Sequence, residues 1–227
     1  MTALDVLPIA ILGGLLGLDV VSFPQAMISR PLVAATLAGV LIGHPASGLL
    51  IGAVLELIAL ETLPFGASRY PEWGSASVVG GAIFASHPSH PAGAMTCGML
   101  AALATTWVGG WTMVKLRQAN ASWARHRRDA LEAGSRGAVT SLQLIGMTAD
   151  LLRGAALTAV AFALLAPLAD FSIAHWHVDA RLSRSMAITV AASVAGGAAW
   201  KLFHSTHGAR WFFVGGLVVG LFMLFLR

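Results

Sequence analysis

Hydrophobic and polar positions fall in blocks along this chain. Val6 to Leu18 is apolar and ends at Asp19. Pro31 to Gly43 is a second apolar piece, followed by turn-forming "HPASG", and Gly48 to Leu63 is a third, stopped by Pro64. At 1.5 Å per residue each reaches about 20–24 Å, short of the roughly 30 Å of bilayer hydrocarbon. Short apolar pieces punctuated by Gly and Pro predict broken helices and re-entrant hairpins over residues 25–90, because irregular backbone at membrane depth is tolerated only inside protein or beside a cavity. Ser75 to Ser86 reads as a short Gly/Ala/Ser-rich helix ended by "HPSHP". Gly93 to Val114 is long enough to span and runs into a polar loop. Val139 to Leu168 is long, with Asp150 and Arg153 one turn apart and able to pair near the cytoplasmic interface. Met186 to Trp200 and Trp211 to Leu226 complete the membrane segments. The expected fold is all-α: one polytopic integral membrane domain over residues 1–227, with broken or re-entrant helices and Gly-rich packing.

Composition agrees with that pattern. The chain is 57% hydrophobic and only 11% charged, with a mean hydropathy of +0.77, whereas soluble domains average nearer a quarter charged. Its net charge of +4 has one address. Lys115, Arg117, Arg125, Arg127, Arg128 and Arg136 face only Asp129 and Glu132 in that stretch, and the rest of the chain is neutral on balance. One short basic loop between apolar segments follows from positive loops staying in the cytoplasm, without a nucleic-acid partner. Residues 117–136 are therefore expected in the cytoplasm, "DFSIAHWHVDARLSR" outside and "KLFHSTHGAR" inside again. Asp5 precedes the first basic residue, Arg30, so no cleaved signal peptide is expected. Cys97, the single cysteine, reads as a small core residue.

Candidate chemistry is sparse. "IGAVLELIALETLP" carries Glu56 and Glu61 in an apolar run. Their spacing of five residues turns a helix by about 140°, so they do not share a face and are no catalytic pair. A carboxylate at mid-helix needs hydration or a partner. Glu56 therefore either faces a cavity or pairs with a cation such as Arg30, while Glu61, near the helix end, is placed to reach water. "HPSHP" (His87, His90) and "HWHVD" (His175, His177, Asp179) lack a full ligand set, so no metal is expected. No cofactor motif is present: the glycines of "GLLGLD" and "VVGGA" suit helix packing and match no phosphate loop.

These residues also carry a family likeness. Leu18 to Glu72 combines Asp19 after the first Gly-rich helix, Arg30–Pro31–Leu32, "TLxGxxxG" (Thr36 to Gly43), "GxxIGxxLELIAL" (Gly48 to Leu60), Gly66–Ala67 and Pro71–Glu72. This combination resembles the IIC subunit of the mannose/fructose/sorbose class of the bacterial phosphoenolpyruvate-dependent sugar phosphotransferase system. The likeness continues through "RDALEAG", Arg153 and "FFVGGLVVG". It implies a permease subunit of the bacterial inner membrane, without a phosphorylated residue of its own and without a cofactor. Such a subunit forms the sugar path with a partner membrane subunit, IID, in an oligomer embedded in lipid. Cytoplasmic IIA and IIB carry the phosphate, and IIB phosphorylates the sugar. In that frame Glu56, Ser68, Glu72 and Ser75 are expected sugar contacts, and Asp19, Arg30, Pro31, Glu61 and Arg153 structural or gating residues. The sequence departs from the pattern at Glu61, where the family often has Gly, and in lacking the apolar segment usual after "FFVGGLVVG". A second reading stays open: a membrane scaffold that recruits phosphotransferase proteins for regulation and transports nothing. A third is a passive channel acting alone.

Overall fold

The computed structural model describes residues 3–60, 69–89, 91–175, 180–203 and 208–225. Glu61, Ser68, His90, His177 and Asp179 lie outside them. The described residues form helices and no strands: α1 (Ala3–Asp19), α2 (Pro31–Ile42), α3 (Pro45–Ala59), α4 (Trp73–Ala85), α5 (Pro91–His126), α6 (Arg128–Glu132), α7 (Arg136–Ala174), α8 (Ala180–Phe203) and α9 (Ala209–Phe225).

The breaks fall where the residues dictate. Pro31 and Pro45 open α2 and α3, where a missing N–H is harmless. Gly43 closes α2 with φ +89°, a left-handed conformation that favours glycine, and its neighbour His44 donates its backbone N–H to Gly39 O at 2.8 Å. The turn expected over "HPASG" thus shrinks to Gly43–His44, and Ala46 to Gly48 are already helical. The result is a tight hairpin of two helices about 18 and 22 Å long, each too short to cross a bilayer. Backbones touch where Gly39 meets Gly48; a Cβ on Gly48 would lie 2.3 Å from Ala35 O.

Helix α4 is the axis of the fold. Every residue from Trp73 to Ala85 is buried, and α1, α2, α3, α5 and α7 all pack against it. A helix apolar on all sides has no face to give to water, and its small residues admit neighbours closely. Gly80 sits against Gly98 of α5, and Gly81 against Ala35 of α2. Leu16, Ile51, Leu55, Val78, Val79, Ile83 and Phe84 fill the core around it. The outside is also apolar: Leu100, Trp107, Leu152, Leu164 and Phe171 are all more than half exposed. That is the surface of a body solvated by lipid or protein, not by water.

Among the described residues two helices are long and apolar enough to cross a membrane, within Gly93–His126 and Arg136–Ala174. Their full lengths, about 54 and 58 Å, exceed any bilayer. The basic stretch is accordingly not a loop from residue 117. Helix α5 continues through Arg117 and Arg125 to His126, and only residues 127–135 turn, around α6. Between Trp111 and Ala133 there is neither Gly nor Pro, and Lys, Arg, Gln and Ala keep a helix going in water. Near the point of emergence cations lie over aromatic rings: Arg69 over Trp107 (4.7 Å), Lys115 over Trp111 (5.8 Å) and Arg117 over Tyr70 (4.6 Å). Aromatic rings with snorkelling cations mark a membrane–water boundary.

Candidate functional site: a buried carboxylate and guanidinium

Two carboxylates of the N-terminal half illustrate opposite fates. Glu56 projects from α3 toward the start of α2. Its Oε1 accepts Arg30 Nε at 2.7 Å and Arg30 Nη2 as well, and its Oε2 accepts the Leu32 backbone N–H at 3.2 Å. Arg30, the residue at the N-cap position of α2, offers no side-chain cap. Glu56 supplies one from the neighbouring helix, and its charge complements the positive end of the α2 dipole. Of the alternatives open for Glu56, the geometry favours the ion pair: both oxygens are engaged in holding the hairpin together.

Glu72 is fully buried at the start of α4. Its Oε1 accepts the Ser75 backbone N–H at 3.0 Å, an N-cap, and its backbone N–H donates to Thr106 O of α5 at 3.3 Å. Its Oε2 has no hydrogen-bond partner among the described residues. Gly109 of α5 passes directly over it: a Cβ there would lie 3.1 Å from that oxygen. Ser75 is buried too, and its hydroxyl donates to Gly13 O of α1 at 3.0 Å.

Across from them stands the pair expected from spacing. Arg153 Nε donates to Asp150 Oδ1 at 2.9 Å, and Nη1 to Thr112 Oγ1 of α5 at 3.3 Å. Arg153 Nη2 lies 2.9 Å from the same Asp150 oxygen but out of line for a hydrogen bond, so its protons are unclaimed among the described residues. The pair is buried within the helix packing, with side chains only 9% and 1% exposed. Arg153 is also an electrostatic neighbour of Glu72. Asp150 Oδ2 accepts the Ser22 hydroxyl. Asp19, at the end of α1, accepts the Ala26 and Ser29 backbone N–H groups at 2.7 and 2.9 Å and so cinches the loop before Arg30.

The cluster therefore offers one uncommitted carboxylate oxygen and uncommitted guanidinium N–H groups on different helices. Buried polar atoms are nearly always paired, so such exceptions need a reason. Uncommitted acceptor and donor groups inside an apolar body are the kind a polyhydroxyl ligand uses, since each hydroxyl both donates and accepts.

Residues 3–213 match the family described as "PTS system sorbose-specific iic component". The chain belongs to that family. Among curated relatives, the mannose-specific EIIC component of Escherichia coli strain K12 is 32% identical over 94 residues, which are 41% of this chain and 35% of that protein. The sorbose-specific EIIC component of Lacticaseibacillus casei is 40% identical over 50 residues, 22% of this chain and 18% of that protein. The fructose permease IIC component of Bacillus subtilis strain 168 is 33% identical over 79 residues, 35% and 29%. The aligned part thus spans about a third or less of the curated relatives. A solved structure described as a membrane protein covers all of this chain and 95% of its own, with a TM-score of 0.71 and 17% identity. The cryo-EM structure of the mannose transporter ManYZ with microcin E492 covers the same shares, with a TM-score of 0.63 and 19% identity. These structural likenesses show the fold: an all-helical membrane protein with broken helices, as the apolar pattern predicts.

Within this IIC chain the residues singled out from sequence separate into two groups. Glu72 and Ser75 meet at the start of α4, and Arg153 approaches Ser75 at Gly17, where an added Cβ would lie 2.7 Å from Ser75 Oγ and 3.6 Å from Arg153 Nη2. Arg30, Pro31 and Glu56 meet at the start of α2, and Asp19 ties the intervening loop. Sequence reasoning passed over Gly109 and Thr112, which sit on one face of α5 at a spacing of three residues and line the Glu72–Arg153 cluster. It also passed over Asp150 as anything beyond a partner for Arg153. The legible signal was small and polar residues recurring at helical spacing inside an otherwise apolar span.

Proposed function

We propose that this chain is the sugar-path subunit of a mannose/sorbose-class phosphotransferase system, working with a IID membrane partner in the inner membrane. It delivers a hexose-type sugar to phosphorylated IIB, with IIA and ultimately phosphoenolpyruvate as phosphate source. The observation that carries the reading is the pairing of a Glu72 oxygen and an Arg153 nitrogen, each buried without a hydrogen-bond partner among the described residues, in the packing of α1, α4, α5 and α7. Glu72 and Arg153 would exchange their missing hydrogen bonds for those of sugar hydroxyls, with Ser75 and Ser68 as further candidate contacts and Glu56 holding the hairpin nearby. Multiple crossings with the basic turn in the cytoplasm fit the emergence of the α5 and α7 ends past the aromatic boundary. Mannose, the sugar of the ManYZ transporter, is the first to try.

The test is uptake and phosphorylation of mannose, fructose and sorbose in cells carrying this chain with IID, IIB and IIA, against cells lacking IID. Sugar phosphate is expected only in the complete set. Robust turnover without IID would sink the proposal. No turnover in the complete set, with IIA or IIB still retained at the membrane by this chain, would favour the regulatory scaffold.

A further inference from the structure

Beyond the aromatic boundary, α5, α7 and the loop after α1 line an open groove of about 300 Å³. Ser22, Asn120, Trp123, Gln143 and Gly146 line it. None of them belongs to the Glu72–Arg153 cluster, yet the two are joined: Ser22 at the groove donates its hydroxyl to Asp150, whose other oxygen holds Arg153.

We propose that this groove is a second sugar subsite, on the basic-turn side, where the sugar rests before phosphorylation. The inference rests on the sugar-path reading above. Four observations carry it. The first is position. Asn120 lies five residues beyond Lys115, about 8 Å further along α5, so the groove sits outside the aromatic boundary and before the basic turn. The second is size: the volume is at the lower end of small-molecule sites, as suits a monosaccharide. The third is lining chemistry. Trp123 is 36% exposed and supplies a flat apolar face, while two amides and a hydroxyl supply both donors and acceptors. Among the described residues no cation lines the groove, so it suits a neutral ligand better than a phosphorylated one. The fourth is an unmet demand. Asn120 Oδ1 is buried without a hydrogen-bond partner among the described residues. Gly146 faces that amide, and a Cβ there would meet it at 3.6 Å. The missing side chain at 146 leaves the space open.

The arrangement orders events on this side of the membrane. The sugar leaves Glu72 and Arg153, passes Ser22 and settles against Trp123 and Asn120. Arg125 and Arg136, both near the turn, draw the anionic phosphorylated partner to the mouth. The groove then holds the hydroxyl to be phosphorylated: its oxygen bonds to phosphorus as the N–P bond of the phosphohistidine carried by IIB breaks, and the hydroxyl proton passes to the freed imidazole. The negatively charged product is released because the groove lining carries no cation to retain it.

Two measurements on the complete complex test this. In inverted membrane vesicles, sugar is offered from the basic-turn side with phosphorylated IIB. Trp123→Ala should raise KM about tenfold, Trp123→Phe should stay within about threefold of wild type, and Gly146→Leu, which fills the groove, should abolish phosphorylation at normal membrane abundance. In a Cys97→Ala background, maleimide labelling of Ala124→Cys in the groove should slow at least threefold with mannose, and not with glycerol at the same concentration. The labelling readout stands even if a variant is lost from the membrane. If wild type phosphorylates sugar while Trp123→Ala and Gly146→Leu behave like it and mannose gives no protection, the subsite is refuted and the sugar-path reading survives. Protection by IIB alone, with none from sugar, refutes it as well and makes the groove a protein-docking surface. Wild type that phosphorylates none of the three sugars overturns the sugar-path reading itself.

Discussion

Glu56 and Glu72 are both carboxylates in the apolar N-terminal half, each beside a helix start and each under the electrostatic influence of an arginine. Glu56 is partly exposed, with 21% of its side chain accessible, and both of its oxygens are occupied by Arg30 and the Leu32 amide. Glu72 is wholly buried, yet one of its oxygens is unclaimed among the described residues. The prominent carboxylate has both oxygens engaged, and the hidden carboxylate has one without a hydrogen-bond partner among the described residues. Burial of a charge is expensive in proportion to how little compensates it. Glu72 is therefore the costlier residue to retain, and the better candidate for retention by function.

The largest expected effect lies at Glu72. Glu72→Gln keeps a carbonyl oxygen to cap Ser75 N but replaces the unpartnered acceptor Oε2 with an NH2 donor. Charge-assisted hydrogen bonds contribute about 1.5–3 kcal/mol, so sugar affinity should fall roughly tenfold to a hundredfold. Membrane abundance should stay near wild type, because the cap survives. Unchanged affinity would remove Glu72 from the sugar path and erase the comparison.

Next is the packing that sets Glu56 in place. Gly48→Ala forces a methyl group toward Ala35 O, a backbone atom that cannot step aside. Overpacking of this kind destabilises by about 1–3 kcal/mol, which a thermal melt of the purified protein would register. Gly43→Ala sits in open space and is limited only by its φ of +89°. It should be the milder of the two, by about 1 kcal/mol of left-handed strain.

A smaller effect measures the clamp itself. Arg30→Met and Glu56→Gln should each lower stability, and the double variant should lose less than the sum of the two. A coupling of about 1 kcal/mol is expected for a partly exposed, charge-assisted pair. Sugar affinity of Glu56→Gln should hold within about twofold once abundance is corrected. A tenfold loss of affinity at normal stability would instead return Glu56 to the binding site.

The smallest change is at the basic turn. Arg128 and Glu132 pair at 2.6 Å on α6, but their side chains are 76% and 62% exposed. Water and salt screen such a pair, and Arg128→Ala should alter stability by no more than about 0.5 kcal/mol. A loss of IIB binding with stability intact would mark Arg128 as part of the docking surface.

Much of this molecule follows from neighbours in sequence. Gly43 ends α2, Pro31 and Pro45 begin helices, and Asp150 and Arg153 pair because three residues make nearly one turn. The short apolar pieces announced broken helices because bilayer thickness is fixed. The run from Trp111 to Ala133 also contained enough information to extend α5 to His126, although reading the charge run as a loop concealed it. These rules act within about four residues, the reach of a helical hydrogen bond. Which carboxylate would be satisfied was decided only in three dimensions. Arg30 and Glu56 are 26 residues apart, and they meet because glycines let α2 and α3 close to backbone contact. Among the described residues Glu72 keeps an unpartnered oxygen because Gly109, far along the chain on α5, brings bare backbone rather than a donor side chain over it. Asn120 and Gly146 become neighbours only once α5 and α7 pack side by side. A helix's own sequence fixes which face a residue occupies, but the partner on that face is set by how closely another helix can approach.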